Sequence, residues 1–120
     1  MPSWPDVEKA VVAWLTTLGV PVYTETGPTT PAEYILVERV GGAGRRIDKD
    51  ISIEVAVIAA SRPAMWALAS SVEMRMRELA AAGAPYIDDV DEQFSFAFDP
   101  YPNVAARRAT ATYTLTVRPQ

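Results

Sequence analysis

The order of helical and strand patterns along this chain predicts a two-layer α+β domain, an antiparallel β-sheet with two helices packed on one face. Three observations carry the prediction. Apolar side chains recur at helical spacing over residues 6–18 and 63–82. Apolar and polar residues alternate over 51–58 and 109–118. Glycine and proline separate these segments, giving the order helix, strand pair, helix, strand pair (α-β-β-α-β-β). The chain is 120 residues long, which suits one domain of about 100–150 residues, here spanning 1–120.

The first helix buries Val7, Val11, Trp14, Leu15 and Leu18 as one stripe. Ser3 is the expected cap, Pro5 fits the first turn, and Asp6 and Glu8 suit the positive end of the helix dipole. Gly19 and Pro21 stop it. Residues 20–31 are rich in turns, with room for a short strand near 22–25. Residues 34–40 and 51–58 read as strands, with Ile51, Ile53, Val55 and Val57 on one face of the second. The second helix carries Met65, Leu68, Val72, Met76 and Leu79 inward. Ser61 is its expected cap, Glu73 and Arg77 lie at i,i+4, and Gly83 and Pro85 end it. Strands over 90–98 and 109–118 complete the sheet. In the last, Ala111, Tyr113, Leu115 and Val117 face a core, and Thr110, Thr112, Thr114 and Thr116 face water or a partner.

Composition excludes whole classes of chemistry. The chain has no cysteine and no histidine. Disulfides, thiolate–imidazole zinc sites, Fe–S clusters and His-ligated haem are therefore impossible. So are Ser–His–Asp and Cys–His catalysis. Eleven basic residues against fifteen acidic ones give a net charge of −4, which argues against gripping nucleic acid through phosphate. No stretch approaches the roughly 20 apolar residues of a membrane span, and no signal peptide is expected. Hydrophobic residues make up 49% of the chain, high in the ordinary range, which points to apolar surface buried against other chains.

Three segments invite a functional reading. Asp88, Asp89, Asp91 and Glu92 form an acidic cluster, but no glycine-turned calcium loop accompanies it. A solvated, aggregation-resistant strand edge explains it more simply. Gly41-Gly42-Ala43-Gly44 before Arg45 and Arg46 lacks the spacing of a phosphate loop and precedes a strand, not a helix. Residues 41–50 are long for a hairpin connection, which usually takes two to five residues. They read either as a flexible tip or as an arm that orders on another subunit, glycines forming its hinge and Arg45, Arg46, Asp48, Lys49 and Asp50 its ion pairs. Arg107-Arg108 is a charged pair at a strand start. Trp14 lies on a core stripe, whereas Trp66 lies off its stripe and suits an interface. No set of nucleophile, base and oxyanion donors emerges, so no catalytic residue, cofactor or metal is expected, and the chain reads as non-enzymatic.

Several segments resemble the tail-terminator and head–tail joining proteins of long-tailed bacteriophages, particularly those of actinobacteria. They are Tyr34-Ile35-Leu36-Val37-Glu38-Arg39-Val40-Gly41-Gly42, the strand over 51–58, Ala60-Ser61-Arg62 before an alanine-rich helix, Asp99-Pro100, and Arg107-Arg108 before a strand ending Val117-Arg118-Pro119. The resemblance covers nearly the whole chain. It implies an α+β fold and a homo-oligomeric ring, typically a hexamer, at the head–tail junction of a virion made in the host cytoplasm. Such a ring caps the tail tube, docks the head connector and lets DNA pass without specific binding. Its expected contacts with neighbours are Arg45, Arg46, Asp48, Lys49, Asp50, Trp66, Asp99, Tyr101, Arg107 and Arg108. A head-side adaptor or stopper ring of the neck is the neighbouring reading. A small-ligand-binding α+β domain or enzyme is the alternative of another class, to be marked by a deep pocket holding a buried acid.

Overall fold

A computed structural model describes residues 6–25, 31–44, 48–82, 87–99 and 106–119. Helix α1 (Val7–Thr16) is followed by strands β1 (Val22–Tyr23), β2 (Tyr34–Gly44) and β3 (Lys49–Ala59). Helix α2 (Arg62–Ala82) and strands β4 (Ile87–Asp99) and β5 (Arg107–Val117) follow. The α+β class stands: two helices pack against one five-stranded, mostly antiparallel sheet.

The strand order is β1-β2-β3-β5-β4. The last strand is thus inserted between β3 and β4, while β4 takes the edge. β5 alternates strictly between buried apolar residues and half-buried threonines, so it gains by pairing on both sides. β4 is charged over its first half and departs from regular register at three places. That makes it a poor central strand and a serviceable edge. The short strand near residue 22 forms as β1, but it pairs parallel with β2, setting Val22 beside Ile35 and Tyr23 beside Leu36.

Two helix caps show how the local sequence sets element ends. Asp6, not Ser3, is the N-cap of α1: its Oδ1 accepts a hydrogen bond from the Lys9 backbone N–H at 3.1 Å. The helix therefore starts one residue later than the proline pattern predicts, and Ser3 lies outside the described residues. Ser61 caps α2 as expected, its Oγ accepting from the Ala64 N–H at 3.3 Å. Gly83 and Pro85 also lie outside the described residues.

The core fills the space between the helices and one sheet face. Val7, Val11 and Leu15 of α1 and Met65, Leu68, Val72, Met76 and Leu79 of α2 are buried against Ile53, Val55, Tyr113 and Leu115. Each such side chain contributes roughly 1.5–3 kcal/mol on leaving water. Trp14 and Leu18, expected on the same stripe, are half-buried and pack at its rim. A second apolar cluster lies apart from this core and unites Tyr34, Leu36, Ala56 and Ile58 with Ala106 against it. Those residues stand opposite one another in register, so they share one face. That face is the one turned from the helices, because Ile35, Val37, Val55 and Val57 between them belong to the main core.

The helix-free face continues from this cluster into a polar field. Thr110, Thr112, Thr114 and Thr116 stand opposite Ala56, Glu54, Ser52 and Asp50. Thr116 donates to the Asp50 carboxylate at 2.9 Å. The threonine face expected from the alternation is present and turned outward.

Candidate functional site

The residues expected at partner contacts do not gather in one place. Lys49 and Asp50 open β3, opposite Val117 and Thr116 of β5. Arg107 and Arg108 open β5, opposite Ala59 and Ile58 at the far end of β3. The ten-residue separation along β3 amounts to about 33 Å of extended strand. The candidates therefore form two groups at opposite ends of the sheet. Arg45, Arg46 and Tyr101 lie outside the described residues.

At the first end, the hairpin is longer and its connection shorter than the sequence predicts. β2 and β3 remain paired as far as Gly44 and Lys49, so Gly41, Gly42 and Gly44 are strand residues. Gly42 sits opposite Ile51 with φ +157°, and a Cβ there would lie 2.4 Å from the Asp50 carbonyl oxygen. The glycine is needed for close approach of the two backbones and does not act as a hinge. A Cβ at Gly41 or Gly44 would meet nothing within 4 Å. Val40 is the extra residue where the register shifts between Arg39 and Gly41, and it is 51% exposed. Beside it the Glu8 carboxylate of α1 accepts from the Arg39 N–H at 2.9 Å. Asp48, Lys49 and Asp50 are half-buried.

At the second end, the register sets Asp99 opposite Arg108. Arg108 also lies 3.7 Å from the Glu54 carboxylate across the threonine face. On the helix side, the Arg62 guanidinium stacks over the Phe98 ring at 4.4 Å from its centre. Trp66, one turn further along α2, is 39% exposed. Its outward placement agrees with its position off the apolar stripe.

Trp14 is a clamp between the helices. Its indole Nε1 donates to the Arg75 backbone carbonyl at 2.7 Å, and the Arg75 guanidinium lies 4.4 Å over its ring. Arg75 also donates to the Thr17 hydroxyl. Met74, which faces out beside this clamp, is 60% exposed. Glu73 and Arg77 form the anticipated i,i+4 pair at 2.8 Å, an exposed pair of small energetic weight.

Tyr113 is the buried polar side chain with a distinct environment. Burial pushes its hydroxyl well above the usual phenol range, and the neighbouring Glu92 and Glu73 carboxylates push it further. It donates to Glu92 at 3.4 Å. Its hydroxyl is held neutral, which suits packing and not proton transfer near neutral pH.

An open groove of about 370 Å³ runs between the end of α1 and the first half of α2. Leu18, Val20, Ala64, Ala67 and Leu68 line it, with Ser71 and the exposed Glu33. Glu33 is the one ionisable group of that lining. Among the described residues, no group of three or more carboxylates could hold a metal ion. No helix among them is long and apolar enough to cross a membrane. Asp88 of the acidic cluster pairs with Arg118 at 3.4 Å. Asp89 and Asp91 stand opposite Thr116 and Thr114 on the helix-free face.

The sequence reading missed the second apolar cluster and the exposed Val40, Phe94 and Phe98. The cluster left a signal in two uninterrupted apolar runs, 34–37 and 55–60, which mark strands buried on both faces. The alternation at residues 51–57 overlaps the second run and carries the stronger one-faced pattern. Phe94 left none. The irregular register of β4 turns it onto the helix-free face opposite Thr112, 64% exposed.

These features define a compact α+β unit with two open sheet edges and no enclosed polar site among the described residues. No protein-family model matches the chain, and neither does any curated protein. Its architecture is that of a chain in a solved structure described as the virion of a native gene transfer agent (GTA) particle. The TM-score is 0.58 at 14% identity, over 93% of this chain and 94% of that one. The likeness therefore takes in the whole domain at the level of fold.

Proposed function

We propose that the chain is a structural virion protein that works by assembly, as a tail terminator whose ring caps the tail tube and docks the head connector. The observation that carries this reading is the end-to-end likeness in fold to a chain of a gene transfer agent virion. Two of the segments on which the bacteriophage resemblance rests, Tyr34 to Gly42 and the strand opened by Arg107-Arg108, lie in β2 and β5 of the sheet. The remaining features support it. The open groove offers one ionisable group, the exposed Glu33 carboxylate, and the net charge of −4 suits a ring through which DNA slides without adhering.

In this reading both ends of the sheet contact neighbours. Asp48, Lys49 and Asp50 serve one end, and Arg45 and Arg46, which precede them in the sequence, serve it with them. Trp66, Asp99, Arg107 and Arg108 serve the other, with Tyr101. A head-to-tail contact repeated about an axis closes a ring. A head-side adaptor or stopper ring would use the same geometry.

Particles assembled without the protein test the assignment. A terminator leaves tails of uncontrolled length, whereas a head-side adaptor leaves tails of normal length that fail to join filled heads. Normal tails joined to heads would refute both. Removal of residues 41–50 is a poor test, since it cuts into β3 where Ile51 is buried. Substitutions at exposed positions are cleaner.

A further inference from the structure

On the helix-free sheet face one aromatic ring stands out of an acidic field. Phe94 of β4, Thr112 of β5, Glu54 of β3 and Glu38 of β2 form a row across four strands. Beside that row, Asp91 and Asp89 follow along β4, opposite Thr114 and Thr116. Phe94 is 64% exposed, more than any other large apolar side chain among the described residues. The register of β4 shifts on both sides of it, between Glu92 and Phe94 and between Phe94 and Ala97. Bulges re-aim side chains. Here they turn Phe94 outward while Phe96 packs on the core.

The charges around the ring are of one sign. Glu38, Asp89 and Asp91 are exposed, and none of them joins an ion pair among the described residues. Glu54 stands directly opposite Glu38, an arrangement that weakens a strand pair. Arg108, 3.7 Å from Glu54, offsets one of the two. At the margin Arg118 pairs with Asp88. The helical layer has no such excess: α1 and α2 together hold four basic residues and three acidic ones.

We infer that the helix-free face docks a basic segment of a partner protein, with one arginine stacked over Phe94 and further bases reaching Asp91 and Asp89 along β4 or Glu54 and Glu38 across the sheet. A guanidinium is drawn both to an aromatic face and to the carboxylates around it. The molecule makes the same stack internally, Arg62 over Phe98 and Arg75 over Trp14, each 4.4 Å from the ring centre. Phe94 carries no such cation among the described residues. Thr114 and Thr116 donate their hydroxyl protons to Gln93 and Asp50, so their oxygens can accept from an incoming guanidinium. Strand spacing sets Phe94 and Glu54 about 10 Å apart across β5, so the occupant needs more than one base. A second copy presenting this same face would set acid against acid, and nucleic acid would be repelled. The contact does not depend on the ring reading, since a single copy displays the whole face.

The peptide acetyl-Arg-Gly-Arg-Gly-Arg-amide, titrated into isotope-labelled protein at low salt, is the probe. Saturable amide shifts are expected at residues 50–56, 89–97 and 110–116, with little change over α1 and α2. Phe94→Leu keeps an apolar side chain at an exposed position and should weaken binding several-fold, whereas Phe94→Trp should retain it. Glu38→Gln with Asp91→Asn should also weaken it several-fold, and Glu78→Gln on α2 should leave it unchanged. The matching lysine peptide should bind several-fold more weakly. Shifts spread over both layers, or equal affinity for the parent and Phe94→Leu, would overturn the inference. Spermidine binding as tightly as the arginine peptide would overturn it too, by reducing the contact to diffuse attraction. So would dimers of the parent, seen by sedimentation, that Phe94→Leu dissociates, because they would give the face to a second copy.

Discussion

Gly42 is the position where one methyl group should matter most for its size. In Gly42→Ala the new Cβ would sit 2.4 Å from the Asp50 carbonyl oxygen and 3.2 Å from the Ile51 Cα. Both are backbone atoms of β3, so no side chain can swing away. The approach is about 1 Å short of an ordinary non-bonded contact. Parting the strands by that much takes the adjacent ladder hydrogen bonds past their useful length. Two such bonds at about 1 kcal/mol each, with strain of about 1 kcal/mol for a side chain at this unusual φ, predict a loss of about 2–3 kcal/mol. Fraying of the distal hairpin sets the ceiling, because the tip can open without unfolding the core. Urea denaturation measures the global loss, and amide exchange at residues 40–44 and 49–51 reports the local opening. Gly41→Ala is the control, since nothing lies within 4 Å of its Cβ position, and its stability should stay within about 0.5 kcal/mol. Equal stabilities and equal exchange for the two variants would refute the close-approach argument.

Other expectations concern the core and the helix clamp. Met76→Ala removes a fully buried side chain and should cost about 2–5 kcal/mol by urea denaturation, against near-neutrality for the exposed Met74→Ala. Trp14→Phe keeps the ring but loses the indole donor to Arg75, leaving that carbonyl its helical role. A loss of about 1 kcal/mol is expected, accompanied by a smaller interaction with Arg75 in a double-mutant cycle.

Tyr113 should make the fold sensitive to alkali. Its folded-state pKa is raised above the ordinary value of 10.0, so the unfolded chain ionises first. Stability is fully present below about pH 10 and falls above it, by up to about 1.4 kcal/mol per pH unit. Tyr113→Phe should flatten the stability profile between pH 10 and 12, and an unchanged slope would show that the alkaline loss lies elsewhere.

The sequence by itself determined the elements and most of the main core. The stripe Met65, Leu68, Val72, Met76 and Leu79 is buried as its spacing requires, because helical periodicity and amphipathicity are local properties. The threonine alternation of β5 likewise fixed which of its faces is apolar. The bacteriophage resemblance rested on such local segments, and the fold-level likeness to a virion chain is in keeping with it.

Tertiary structure alone decided the sheet order, the length of the hairpin and the division of the expected contact residues between two ends. Strand order depends on which edges pair across the chain, and residues 49 and 117 meet only because β5 inserts beside β3. Gly41, Gly42 and Gly44 read locally as a loop, since glycine weakens a strand. Pairing with β3 overrides that preference, and at Gly42 turns the missing side chain into a packing requirement.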